Sequence, residues 1–172
     1  MGELNELEEN IFEHEEIIKM PSRNHSFTQT RIAGLFFNEE RFTPFVDVSL
    51  DASQIDLKQF GLKIKDEFIP DICLYPGEVG LSEPLDELKM SEMPLLAIEI
   101  LSPKQGIEEV LAKFPAYFAM GIKSCWLVIP TLKTVTVYSQ PTCSKFFDTQ
   151  HDTEVIDEIM DIRLPIQKIF KK

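Results

Sequence analysis

Cysteine, glycine, long apolar runs and positive charge are all scarce in this chain of 172 residues, and each scarcity excludes something. The three cysteines, Cys73, Cys125 and Cys143, are odd in number and widely spaced. That pattern points to buried free thiols rather than a disulfide framework or a zinc site. The seven glycines form no phosphate-cradling loop, and no serine or cysteine has an evident histidine partner. P-loop, serine and cysteine chemistry therefore find no support. No apolar stretch approaches the roughly 20 residues of a bilayer span. The start of the chain, with Glu3, Glu6, Glu8 and Glu9, is the opposite of a secretion signal. A cytoplasmic protein without a membrane partner is expected.

Lys and Arg number 17 against 29 Asp and Glu, a net charge of −12. This weighs against a nucleic-acid partner, because phosphate recognition depends on clustered cations. Much of the negative charge comes from Met1 to Glu16 and His151 to Asp161. The middle of the chain is nearer balance, so a cleft built from it escapes the objection.

What is present is an ordinary globular composition, 44% hydrophobic and 27% charged, suited to one domain over 1–172 with an acidic arm at 1–18. Asn24 offers an N-cap for a helix to about Phe37, with His25, Thr28, Ile32, Leu35 and Phe36 on one side. Phe45 to Leu50 and Phe68 to Leu74 read as strands, with Leu62 and Ile64 a further candidate. After an irregular stretch to Met93, Leu95 to Leu101 reads as a buried strand. A helix from about Gly106 to Met120 follows, bent by Pro115 and stopped at Gly121. Ser124 to Ile129 and Thr134 to Tyr138 form a hairpin. Ser144 to Phe147 and Thr153 to Ile159 are edge-strand candidates, with a helical turn over Leu164 to Phe170. A strand, helix, strand order implies an α/β (α+β) fold with a crossover unit.

Asp71 and Glu99 stand out because each closes an apolar strand-like run, where a carboxylate is costly without a partner. On neighbouring strands the two would raise each other's pKa, and a divalent cation between them would convert that repulsion into binding.

Pro70-Asp71, then Ile98-Glu99-Ile100-Leu101-Ser102-Pro103, then Lys113 four residues before Tyr117, then Gly121-Ile122 and Cys125 to Pro130, together resemble the bacterial Uma-two family. The resemblance extends upstream to Met20 and His25 and downstream to Tyr138. It implies a restriction endonuclease-like mixed β-sheet flanked by helices, of the PD-(D/E)xK superfamily. It also implies a Mg²⁺-dependent endonuclease, Mn²⁺ serving as well, that hydrolyses nucleic-acid phosphodiester bonds, often as a homodimer. Asp71 and Glu99 match the metal-binding acids, with the Ile100 carbonyl a third ligand. The lysine that normally stands two residues after the second acid is replaced by Leu101. Lys113, on the next helix, matches the family's displaced lysine, and Lys104 is the second candidate. Ile129 stands where relatives tend to carry Asp.

Simpler readings exist for each. Asp71 could be a strand-end residue satisfied by backbone donors, and Lys113 could pair on the surface with Glu109. His25 either contacts the site or packs through a hydrogen bond. Ser102 caps the next segment or meets substrate, and Trp126 reads as core. The alternative function is a catalytically silent dimeric binding or regulatory protein that keeps the fold. A hydrolase of small phosphate esters is a third class.

Overall fold

A computed structural model describes residues 21–63 and 66–172. The acidic arm and Ile64 lie outside them. Helix α1 (Arg23–Phe37) has its cap two residues before the expected one. Ser22, not Asn24, is the N-cap, its hydroxyl accepting from the His25 amide at 3.2 Å. The buried residues His25, Thr28, Ile32 and Phe36 lie on one side of the helix, as their spacing requires.

The main sheet has six strands in the order β1-β4-β5-β6-β7-β8. These are β1 (Phe42–Val46), β4 (Ile72–Pro76), β5 (Leu96–Ile100), β6 (Ser124–Ile129), β7 (Thr134–Gln140) and β8 (Cys143–Asp148). Only β5 and β6 are parallel, joined by the helical crossover; the other neighbours run antiparallel. The sheet is therefore mixed and flanked by helices, as expected.

Two expected strands are broken. The run from Phe45 to Leu50 divides into β1 and β2 (Leu50–Asp51) at Asp47, whose φ is +52°, a left-handed conformation that interrupts pairing. The run from Phe68 to Leu74 divides into β3 (Glu67–Phe68) and β4 at Ile69-Pro70-Asp71, where Pro70 has no amide to give a ladder. β2 and β3 pair with each other, apart from the main sheet. Leu62 follows a 3₁₀ turn (Leu57–Phe60) and joins no strand.

The expected helix from Gly106 to Met120 is two helices, α2 (Ile107–Leu111) and α3 (Phe114–Ala119). Pro115 lacks the amide that would bond the Leu111 carbonyl, and its ring crowds that carbonyl, so the chain breaks instead of bending. The C-terminal part also differs. A hairpin of β9 (Glu154–Asp157) and β10 (Ile162–Pro165) precedes α4 (Ile166–Phe170), so Leu164 is strand, not helix. Cys73 and Cys125 are buried free thiols, but Cys143 is exposed on the edge strand β8.

Strand alternation sends side chains into two cores. Ile72, Leu74, Ile98, Ile100 and Trp126 pack with Ile32 and Phe36 of α1. Cys73, Tyr75, Ala97, Cys125 and Leu127 pack with Phe114, Ala116 and Tyr117 of α3. Glu99 alternates with Ile98 and Ile100, so it faces the α3 side of the sheet.

Candidate active site

Antiparallel register brings the two acids together. Ile72 lies opposite Ile98, so one step outward from the pair sets Asp71 opposite Glu99. The break at Pro70 leaves Asp71 at the end of the sheet. One of its oxygens accepts from the Ile100 amide at 2.6 Å, and the other is 2.9 Å from His25 Nε2. Its carbonyl accepts from Gln29 Nε2 at 2.8 Å and from the Asp47 amide at 3.3 Å. Asp71 thus ties together the first turns of α1 and the ends of β4 and β5.

Glu99 is 3% exposed. Tyr117 donates to its Oε1 at 2.5 Å, and Lys113 Nζ stands 3.4 Å from the same atom. The second oxygen, Oε2, has no hydrogen-bond partner among the described residues. Lys113 lies at the junction of α2 and α3, one turn before Tyr117, so both side chains leave the same face. The helix break turns Lys113 toward Glu99, and its ion pair is with Glu99 rather than with Glu109. A separation of 3.4 Å is long for a charged hydrogen bond, so the ammonium is only loosely committed. Leu101 bonds through its amide to the Val128 carbonyl and packs in the α3-side core. Lys113 therefore supplies, from a helix, a cation that the strand lacks.

The electrostatics match this geometry. Burial, aided by the Asp71 charge, raises the Glu99 carboxyl to about 7 against the pull of Lys113 and Tyr117. The hydrogen bond to Asp71 raises the His25 imidazole, opposed by its burial. His25 Nδ1 is buried and has no partner among the described residues. Burial and the facing Glu99 charge push the Tyr117 phenol well up, so it is a hydrogen-bond donor at neutral pH.

A cavity of about 500 Å³ opens over these groups, lined by Asp71, Glu99, Ile100, His25, Lys113 and, toward the mouth, Ser102 and Lys104. The structure thus gathers every site residue singled out in the sequence around one cavity. Gln29, Asp47, Gln105 and Glu109, which also line it, were not singled out. Gln29 had a legible signal, one helical turn after His25. Tyr117 had the same signal relative to Lys113.

Among the described residues no group of three His, Cys, Asp or Glu side chains converges as a metal cluster. Two carboxylates and the neighbouring Ile100 carbonyl, with no soft donor on the cavity wall, nevertheless fit a hard divalent ion such as Mg²⁺. Such an ion takes one or two carboxylates and completes its shell with water and substrate oxygens.

Among the described residues no helix is long and apolar enough to cross a membrane. No curated protein matches the chain. A crystal structure described as "a putative nuclease belonging to DUF820 from Anabaena variabilis" shares the fold. It superposes with a TM-score of 0.65 at 21% identity, covering 88% of this chain and 82% of that one. The Uma2 family, described as "Putative restriction endonuclease", matches residues 5–167. A match of that extent identifies the chain as a member of the Uma2 family.

Proposed function

We propose that this protein is a Mg²⁺-dependent endonuclease that hydrolyses phosphodiester bonds of nucleic acid, Mn²⁺ being able to replace Mg²⁺. The observation that carries the reading is the pairing of Asp71 and Glu99 on one cavity with Lys113 Nζ 3.4 Å from Glu99. In this reading the two carboxylates and the Ile100 carbonyl hold the ion. An ion held by these groups would supply positive charge to the phosphate and to the attacking water. His25 and the Ile100 amide hold the orientation of Asp71, and Tyr117 fixes Oε1 of Glu99 so that Oε2 faces the cavity. Lys113 orients the nucleophilic water, and Lys104 at the mouth meets a phosphate. The family relationship supports the substrate class. Homodimerisation belongs to the same proposal, rests on the family resemblance, and is read by light scattering.

One observation favours a second reading. A net charge of −12 suits a binding or regulatory protein that keeps the fold without cleaving. Incubation with single- and double-stranded DNA and RNA, in Mg²⁺, Mn²⁺ or EDTA, separates the two. The endonuclease reading expects cleavage that EDTA and Glu99→Gln both abolish. Cleavage that survives Glu99→Gln contradicts it, and metal binding without cleavage of any of these nucleic acids favours the silent protein.

A further inference from the structure

We propose that the outer face of α1 and α4 is the surface along which single-stranded nucleic acid approaches the Asp71–Glu99 cavity. The inference rests on the nuclease reading and names the form of its substrate. Residues 23–37 and 166–172 contain five cationic side chains, Arg23, Arg31, Lys168, Lys171 and Lys172, and no Asp or Glu, in a chain of net charge −12. The described ion pairs engage Arg41, Lys113, Lys145, Arg163 and two histidines, and none of these five. The two segments are one surface, because the Arg31 guanidinium donates to the Lys168 carbonyl at 3.0 Å. A patch of cations without an ion-pair partner among the described residues, on an otherwise acidic protein, is the complement of a polyanion.

The patch has an order as well as a charge. Arg23, Phe27 and Arg31 are four residues apart, so they form a row along one side of α1, about 12 Å from first to last at the rise of an α-helix. Phe27, between the two arginines, is 40% exposed. An exposed aromatic ring flanked by cations matches the elements of single-strand recognition, in which a base stacks on the ring while phosphates meet the charges. A duplex hides its base faces and offers the ring nothing to stack on. The row also leads to the site. Arg23 stands in the first turn of α1, at the end of the helix where Pro21 lines the cavity and His25, on the other side of that turn, contacts Asp71. Lys104 and Lys113 continue the positive path within.

The test is fluorescence anisotropy of a labelled mixed-sequence oligonucleotide, single-stranded or duplex, with the full chain in EDTA across a salt series. Lys171→Glu/Lys172→Glu alters exposed residues beyond α4 and is expected to weaken single-strand binding about tenfold. It should also make the slope of log K against log salt shallower by about 1.4, two contacts at about 0.7 each. Phe27→Ala is expected to weaken binding about tenfold with the slope unchanged, because stacking releases no counterions. Melting curves establish that each variant is folded. Variants that bind like wild type, or a duplex that competes as well as the single strand while Phe27→Ala changes nothing, would overturn the inference. If cleavage in Mg²⁺ is still lost with Glu99→Gln in that case, only this surface fails and the active-site reading stands. Wild type that binds no nucleic acid overturns both the surface and the nucleic-acid substrate.

Discussion

Among the described residues two carboxylates are buried, and they differ in how they are satisfied. Asp157, 1% exposed at the end of β9, accepts from Ser124 Oγ at 2.5 Å and Trp126 Nε1 at 2.8 Å on one oxygen, and from the Met160 amide at 3.1 Å on the other. Both its oxygens are used, by donors fixed in the fold. Glu99, 3% exposed, receives both its donors on one oxygen, and it stands beside a second acid on a cavity wall. The first arrangement closes a structure, whereas the second leaves a site incomplete. Of the two buried acids, the one with an oxygen left without a donor on a cavity wall is the site candidate; Asp71, whose two oxygens meet the Ile100 amide and His25, joins the site by its place opposite Glu99.

Substitutions at the two positions should therefore separate activity from stability. The largest effect is expected at Glu99→Gln, where cleavage in Mg²⁺ should fall by roughly three orders of magnitude, a loss of several kcal/mol of transition-state stabilisation. Initial rates on a labelled oligonucleotide read this. Asp157→Ala should do the converse. It leaves the donors of Trp126 and Met160 unpaired, Ser124 keeping the Tyr138 carbonyl at 3.3 Å, and should cost about 3 kcal/mol in denaturant unfolding, with the rate per folded molecule kept. If Asp157→Ala also removed cleavage from the folded protein, the distinction between the two acids would fail.

The comparison also explains what the sequence could and could not disclose. Glu99 was legible because Ile98 and Ile100 flank it on the opposite face, and Asp71 because Pro70 precedes it in an apolar run. Asp157 was hidden, since it lies in an acidic stretch that reads as solvated. Only the pairing of β9 with β10 and the reach to Trp126 show that it points inward. The crossover unit was legible from the order of strand, helix and strand, whereas the mixed sheet was an expectation of the family resemblance. The break at Asp47 was not legible, because a left-handed aspartate is set by its tertiary surroundings, whereas Pro70 carried a local signal, its missing amide, inside an apolar run that otherwise reads as one strand. The break before Pro115 reflects the same limit. Proline signalled a disturbance there, but not that two separate helices would turn Lys113 inward.

Titration sharpens the contrast at intermediate magnitude. The folded Glu99 carboxyl, at about 7, lies above its ordinary 4.5. Its contribution to stability is therefore present below about pH 4.5 and lost as pH rises through about 7. Glu99→Gln removes that dependence. Above pH 7 the variant should be more stable than wild type by on the order of 3 kcal/mol, because the raised carboxyl is already the balance of burial against the pull of Lys113. The advantage should disappear near pH 4. Urea unfolding across this range measures it, and a variant equally destabilised at every pH would show that the acid is not held against its burial.

Lys113→Met tests the helix-borne cation. It should slow cleavage about 10- to 100-fold with little change in metal affinity, whereas Lys104→Met, at the mouth, should act mainly on KM. The smallest effect is expected for Tyr117→Phe, which removes one hydrogen bond to Glu99 while keeping the ring against Phe68 and Phe114. A loss of about 1 kcal/mol in stability is expected.

The most direct test of the central claim is calorimetric titration of Mn²⁺ and Mg²⁺ into wild type, Asp71→Ala, Glu99→Gln and Asp157→Asn. The account predicts one saturable site in wild type and in Asp157→Asn, lost in both of the other variants. Wild type that binds neither ion, or binding that survives at Asp71→Ala and Glu99→Gln, would contradict it.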